Sequence, residues 1–166
     1  MIPDGSWTKT GFHHLQNPIN SDLLRRWRIG IVVAQWNRDI TEELERGCKS
    51  VLLERGLQED QIGTYDVPGC FEIPVAASWL CSMDAPVDAV IALGCLIKGE
   101  TPHFDYVCQG VTQGVVDAQL KYSKPIGYGV LMCNDLDQAI ARSGRPGSKE
   151  DKGYDSAIAA LALMGL

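Results

Sequence analysis

Ile29 to Ala34 is a short apolar run rich in β-branched residues, and the spacing changes directly after it: Ile40, Leu44, Cys48, Val51 and Leu52 recur at helical intervals. The first pattern predicts a strand and the second an amphipathic helix, which Gly56 closes. A weaker strand follows over Ile62 to Val67, Pro68-Gly69 breaks it, and a second helical stretch runs from about Phe71 to Ser82. Val87 to Ile97 is nearly continuous in Val, Ile, Ala and Leu, as expected of a strand buried on both faces of a parallel sheet. Gly99 to Pro102 interrupts it, and Phe104, Val107, Cys108, Val111 and Val115 then fall on one face of a third helix. Pro125 introduces a fourth strand at about Ile126 to Leu131. Helices near Leu136 to Arg142 and Tyr154 to Met164, separated by a loop from Ser143 to Lys152, complete the chain.

Four strands alternating with helices imply right-handed crossovers and helices on both faces of a parallel sheet. The expected fold is therefore α/β, a flavodoxin-like three-layer α/β/α sandwich with a four-stranded parallel sheet. Residues 28–166 form that domain, and residues 1–27 read as a mostly irregular arm. The arm carries charges and a His13-His14 pair but no apolar core or cleavage site of a secretion signal.

Composition narrows the function classes. No apolar run is long enough to span a membrane, so no membrane partner is expected. The net charge of −6 is spread along the chain without a basic stripe, which argues against nucleic acid. The six cysteines, Cys48, Cys70, Cys81, Cys95, Cys108 and Cys133, lie in apolar segments with no CxxC pair and no metal-type Cys/His spacing. Buried free thiols in a reducing, cytoplasmic compartment fit this pattern, and no metal site is implied.

In open parallel sheets ligands bind outside the carboxyl ends of the strands. Here those ends carry Gln35-Trp36-Asn37, then Pro68 to Pro74 with Gly69, Cys70, Phe71 and Glu72, then Lys98-Gly99-Glu100-Thr101-Pro102-His103. Together they offer an aromatic plane, a carboxylate, backbone N–H groups at two helix starts, a hydroxyl and an imidazole. Such a set suits a polar heterocycle bearing hydroxyls or phosphate. Each residue also has an ordinary explanation. Trp36 could be a core or interface aromatic, Glu72 or Arg142 could offset a helix dipole, and His103 could be a hydrogen-bonded first-turn residue, although imidazole is the best proton-transfer group present. The turn from Ala34 to Asp39 has no dinucleotide, Walker-type or flavodoxin-type phosphate loop, and there is no Gly-x-Ser-x-Gly elbow. These residues taken alone leave a small-ligand α/β domain of open function.

From about Arg28 to Met164 the sequence resembles lumazine synthases. The resemblance rests on four ordered motifs: Ala34 to Asn37 with Ile40-Thr41, Val67 to Pro74, Ala92 to Val107, and Gly129-Val130-Leu131 followed by Gln138 to Gly144. It implies condensation of 5-amino-6-(D-ribitylamino)uracil with 3,4-dihydroxy-2-butanone 4-phosphate to 6,7-dimethyl-8-ribityllumazine, with water and phosphate released and no cofactor or metal. It implies that Trp36 stacks on the pyrimidine, and that Asn37, Cys70 and Glu72, with Gly69 and Phe71 beside them, contact that ring or its ribityl chain. Leu96, Ile97 and Lys98 would wall the heterocycle. Gly99, Glu100 and Thr101 would bind phosphate, and His103 would move protons. Arg142 would reach the phosphate from a neighbouring subunit.

Tyr128, which the resemblance also implies contacts substrate, stands where many members have Phe, Cys70 where Ala or Ser is frequent, and the stretch from Arg142 to Lys152 is about two residues longer than in compact members. The resemblance further implies a homopentamer with shared sites, and the longer turn favours isolated pentamers over paired pentamers or a sixty-subunit shell. Two readings from other classes compete with catalysis. A flavin- or lumazine-binding protein would need Trp36 and the ribityl contacts but not His103 or Arg142, and a purely structural shell protein would need none of them.

Overall fold

A computed structural model describes residues 24–84 and 86–165, so the first 23 residues of the expected arm lie outside the described residues. Strands β1 (Ile29–Ala34), β2 (Ile62–Val67), β3 (Ala89–Ile97) and β4 (Ile126–Cys133) form one sheet in the order β2-β1-β3-β4, with every pairing parallel. Helices α1 (Arg38–Glu54), α2 (Ile73–Ser82), α3 (His103–Tyr122), α4 (Leu136–Ile140) and α5 (Lys152–Met164) complete the expected flavodoxin-like arrangement.

Strand periodicity sorts the core into two layers. Ile29, Ile31 and Val33 of β1, with Ile91, Leu93 and Cys95 of β3, pack against Leu44, Cys48 and Val51 of α1 and Ala157 and Leu161 of α5. Their alternates Val32, Ala34, Val90 and Ala92 pack against Ile73, Ala77 and Leu80 of α2 and Val111 and Val115 of α3. Because β1 and β3 are covered on both faces, they read as unbroken apolar runs. At Gly153 a side chain would collide with the backbone carbonyl of Leu44, so α1 and α5 approach closely only because glycine stands there. Trp27, the last residue of the expected arm, is buried with the core, and Gln61 Nε2 donates to the carbonyls of Leu24 and Trp27, at 2.7 Å each.

The differences from expectation fall at element ends. The stretch expected to be helical from Phe71 opens as a 3₁₀ turn over Cys70–Glu72, and the α-helix starts at Ile73 with Pro74 in its first turn. Ladder pairing in β3 starts at Ala89, because Arg28 and Asp88 exchange hydrogen bonds before it and Val87 N–H is taken by the carbonyl of Leu80. β4 runs on to Cys133, which pairs with Ile97. α4 stops at Ile140 rather than Arg142, since Lys149 and Glu150 N–H both donate to the carbonyl of Ala141 and turn the chain back. α5 starts at Lys152, two residues earlier than expected, because Asp151 Oδ1 accepts from Tyr154 N–H at 2.9 Å and caps it.

Candidate functional site

The chain leaves β1 for β2 on one side and returns to β3 on the other, so the loops after β1 and β3 diverge at their carboxyl ends. A cavity of about 700 Å³ opens at this point. Asn37 builds its neck. Its backbone is left-handed (φ 59°, ψ 46°), a conformation Asn tolerates better than most residues, and its Nδ2 donates to the carbonyl of Cys95 at 2.9 Å. That bond ties the end of β1 to the end of β3 and begins α1. Gln35 and Trp36 continue the pairing with β2 through hydrogen bonds from their N–H groups to Val67 and Pro68 carbonyls, which fixes the Trp36 backbone. The Trp36 side chain itself is 73% exposed, so the fold makes little use of it.

The loop after β2 brings Gly69, Cys70, Phe71 and Glu72 to the wall. Glu72 Oε2 accepts from Gly69 N–H at 3.0 Å, so the ordinary first-turn explanation holds for that oxygen while the residue still lines the cavity. The Cys70 side chain presses on β3 at Gly94, where an added Cβ would meet its Sγ. Burial pushes the thiols of Cys70 and Cys95 up to about 12, with a backbone hydrogen bond with Cys95 offsetting part of the Cys70 shift. Both are neutral thiols at neutral pH and act as apolar lining rather than as nucleophiles. All six cysteines are free, and all but Cys108 are buried.

Leu96, Ile97, Gly99 and Thr101 arrive from the end of β3, and His103 is the first residue of α3. The cavity therefore gathers four aromatic rings (Trp36, Phe71, Phe104 and Tyr106), one carboxylate, two hydroxyls (Thr101 and Tyr106), one imidazole and the N-terminus of a long helix, an end that favours anions. Four further lining residues, Cys95, Phe104, Tyr106 and Val107, were not among those singled out from sequence. The helical spacing of Phe104 and Val107 reads as a core face. In the fold, the first turns of α3 overhang the sheet end, so Phe104 and Val107 line the cavity while Val111 and Val115 further along the same face pack in the core.

Four of the residues singled out do not line it. Lys98 and Glu100 point into solvent at the rim. Tyr128 lies in mid-strand on β4, its hydroxyl 2.8 Å from Thr112 Oγ1, and burial raises its phenol above the ordinary range. Arg142 sits in the turn after α4, where its Nη1 donates to the carbonyl of Gln138 at 3.0 Å and its Nε lies 4.0 Å from Glu150 Oε1.

Comparison with known proteins places the chain in a family. The family model described as 6,7-dimethyl-8-ribityllumazine synthase matches residues 26–166. A protein of that name from Porphyromonas gingivalis is 43% identical over 163 residues, covering 95% of this chain and 97% of its own. Proteins of the same name from Cytophaga hutchinsonii (46% identical over 135 residues, 81% of this chain and 83% of its own) and Paenarthrobacter aurescens (45% over 145 residues, 87% and 86%) are also similar. Among the described residues, no helix is long and apolar enough to cross a membrane. The match covers nearly the whole described domain, and the chain belongs to the 6,7-dimethyl-8-ribityllumazine synthase family.

Proposed function

We propose that this cavity condenses 5-amino-6-(D-ribitylamino)uracil with 3,4-dihydroxy-2-butanone 4-phosphate to 6,7-dimethyl-8-ribityllumazine, releasing water and inorganic phosphate, the penultimate step of riboflavin biosynthesis, in the cytoplasm. The observation that carries this reading is the convergence of Trp36, Glu72, the Gly99–Thr101 turn and His103 from separate segments on one cavity in a chain of this family. Trp36 offers its exposed face to the pyrimidine, with Leu96 and Ile97 as the wall around it and Lys98 at the rim. Asn37 and the segment Gly69 to Glu72 meet the ring and the ribityl hydroxyls.

The substrate amine attacks the ketone and, after loss of water, gives an imine. Phosphate elimination and ring closure then require protons to be moved to and from carbon and oxygen. An imidazole serves both directions, and His103 at the cavity edge is the group for it. Holding two intrinsically reactive substrates in register supplies most of the acceleration, so one acid/base residue suffices. The turn from Gly99 through Glu100 to Thr101, leading into the N-terminus of α3, receives the phosphate.

Arg142 completes the site from the neighbouring subunit of a homopentamer, where a guanidinium makes charge-assisted bonds to phosphate. Two features support an assembly with shared sites: Arg142 does not line its own chain's cavity, and the outer faces of α2 and α3 expose Val75, Trp79, Val116 and Leu120, with Trp79 67% and Leu120 71% exposed. An exposed apolar stripe of this kind is what a subunit interface covers. The longer turn from Gly144 to Asp151 favours isolated pentamers. The direct test is turnover. Purified protein mixed with both substrates is expected to produce the absorbance of the lumazine product without added metal or cofactor. Ligand binding without product formation would instead leave a flavin- or lumazine-binding protein.

A further inference from the structure

The chain after α4 turns back on itself beside Arg142. Lys149 and Glu150 N–H donate to the carbonyl of Ala141 at 2.9 and 3.0 Å, Lys152 N–H donates to that of Arg142 at 3.0 Å, and Gly144 N–H donates to that of Glu150 at 3.1 Å. The backbone of Glu150 is thus fixed next to Arg142 without help from its side chain. That side chain turns to cations: Oε2 lies 2.6 Å from Lys152 Nζ and Oε1 lies 4.0 Å from Arg142 Nε. Asp155 Oδ2 also reaches Lys152 Nζ, at 3.0 Å. Burial works against the Lys152 charge, but the carboxylates of Glu150 and Asp155 outweigh it and hold the ammonium above the usual lysine range.

Arg142, Lys152, Glu150 and Asp155 form a cluster in which two positive charges meet two negative ones. An approaching dianion therefore has to displace a carboxylate before it can bond to both of these cations. The two carboxylates differ in which cations they meet. Asp155 sits on α5 one turn from Lys152 and pairs with that lysine alone, whereas Glu150 pairs closely with Lys152 and is the one carboxylate of the two that also reaches Arg142, at the outer limit of an ion pair. The Glu150 side chain is also 31% exposed and has water to turn into.

We propose that Glu150 is an internal anion that competes with the phosphate monoester for the Arg142–Lys152 pair, and so sets the affinity and the charge selectivity of the phosphate end of the site. This rests on the reading of Arg142 as the phosphate arginine. A ligand has to replace a carboxylate already bonded to Lys152, which favours a dianion over a singly charged competitor. If Glu150 were instead a brace that holds the two cations in place, removing its charge would weaken phosphate binding, the opposite sign.

The test uses the full-length assembled protein with Glu150→Gln, and with Glu150→Ala as a second variant of the same expected sign. Removing one screened unit charge about 4 Å away lowers KM for the butanone phosphate and Ki for inorganic phosphate by about fivefold, with the change carried by KM rather than kcat. The effect shrinks as salt is raised. Unchanged or raised KM and Ki in a wild-type background that turns over would overturn this inference alone. If the wild type does not turn over, the functional reading fails separately, and calorimetric titration with inorganic phosphate still decides. Tighter binding by Glu150→Gln supports the competing carboxylate, and equal or weaker binding overturns it.

Discussion

Replacing Trp36 with alanine removes a surface that the fold scarcely uses. With about a quarter of a roughly 250 Å² side chain covered in the free protein, the loss to folding is bounded near ~1.5 kcal/mol. A pyrimidine lying on one ring face covers about 80 Å² of indole, which contributes roughly 2 kcal/mol, and the geometry of the aromatic pair adds about 1 kcal/mol. Trp36→Ala is therefore expected to weaken binding of product or riboflavin by about a hundredfold with a modest change in thermal stability, and Trp36→Phe by less than tenfold. Calorimetric titration gives the affinities. Fluorescence titration locates the contact, because a stacked heterocycle quenches Trp36, and the quenching is lost in Trp36→Phe while the signals of Trp7, Trp27 and Trp79 remain. Unchanged affinity in Trp36→Ala, or equal quenching in wild type and Trp36→Phe, would put the ligand elsewhere and refute the stacking argument.

His103→Ala is expected to keep substrate binding and to slow condensation by roughly 10²–10⁴-fold, read from kcat across a pH series; unchanged turnover would leave His103 a structural first-turn residue. Burial raises the Asp151 carboxyl above its ordinary value, although bonds from the Tyr154 and Gly153 backbone and the charge of Arg46 pull the other way. The folded state therefore holds that proton more tightly than the unfolded chain. This contribution is complete below the ordinary carboxyl range and is lost as pH rises through the folded value. Asp151→Asn, similar in size and still able to cap α5, should flatten the acid side of the stability curve and gain on wild type at neutral pH; parallel urea-unfolding curves across pH would contradict this. Mass measurement in solution is expected to give about 91 kDa for five 18.2 kDa chains, against a particle near a megadalton if the turn after α4 permits a shell.

The layers of the fold were legible because β1, β3 and the helices obey single periods, and two covered faces leave β1 and β3 no polar positions. The element ends were less legible because they depend on contacts distant in sequence. The stop of α4 at Ile140 depends on Lys149 and Glu150 returning to the Ala141 carbonyl, and the start of β3 depends on Arg28 meeting Asp88. The cavity wall divides in the same way. Trp36, Asn37, Gly69 to Glu72 and His103 could be found because they follow strands, where an open parallel sheet has its ligand crevice. Phe104 and Val107 could not, since a helix face that covers a cavity and one that covers a sheet carry the same spacing. Glu150 gave no signal either, because its position beside Arg142 arises from backbone bonds in an irregular turn.

The central claim is a condensation site made by two chains, and subunit mixing tests it most directly. His103→Ala and Arg142→Ala proteins, each strongly impaired alone, are combined at equal concentration under conditions where mass spectrometry establishes subunit exchange. In a ring with shared sites about a quarter of the interfaces then pair a wild-type His103 cavity with a wild-type Arg142, and product formation should recover to about that fraction of wild type. Proven exchange with no recovered turnover would contradict the account.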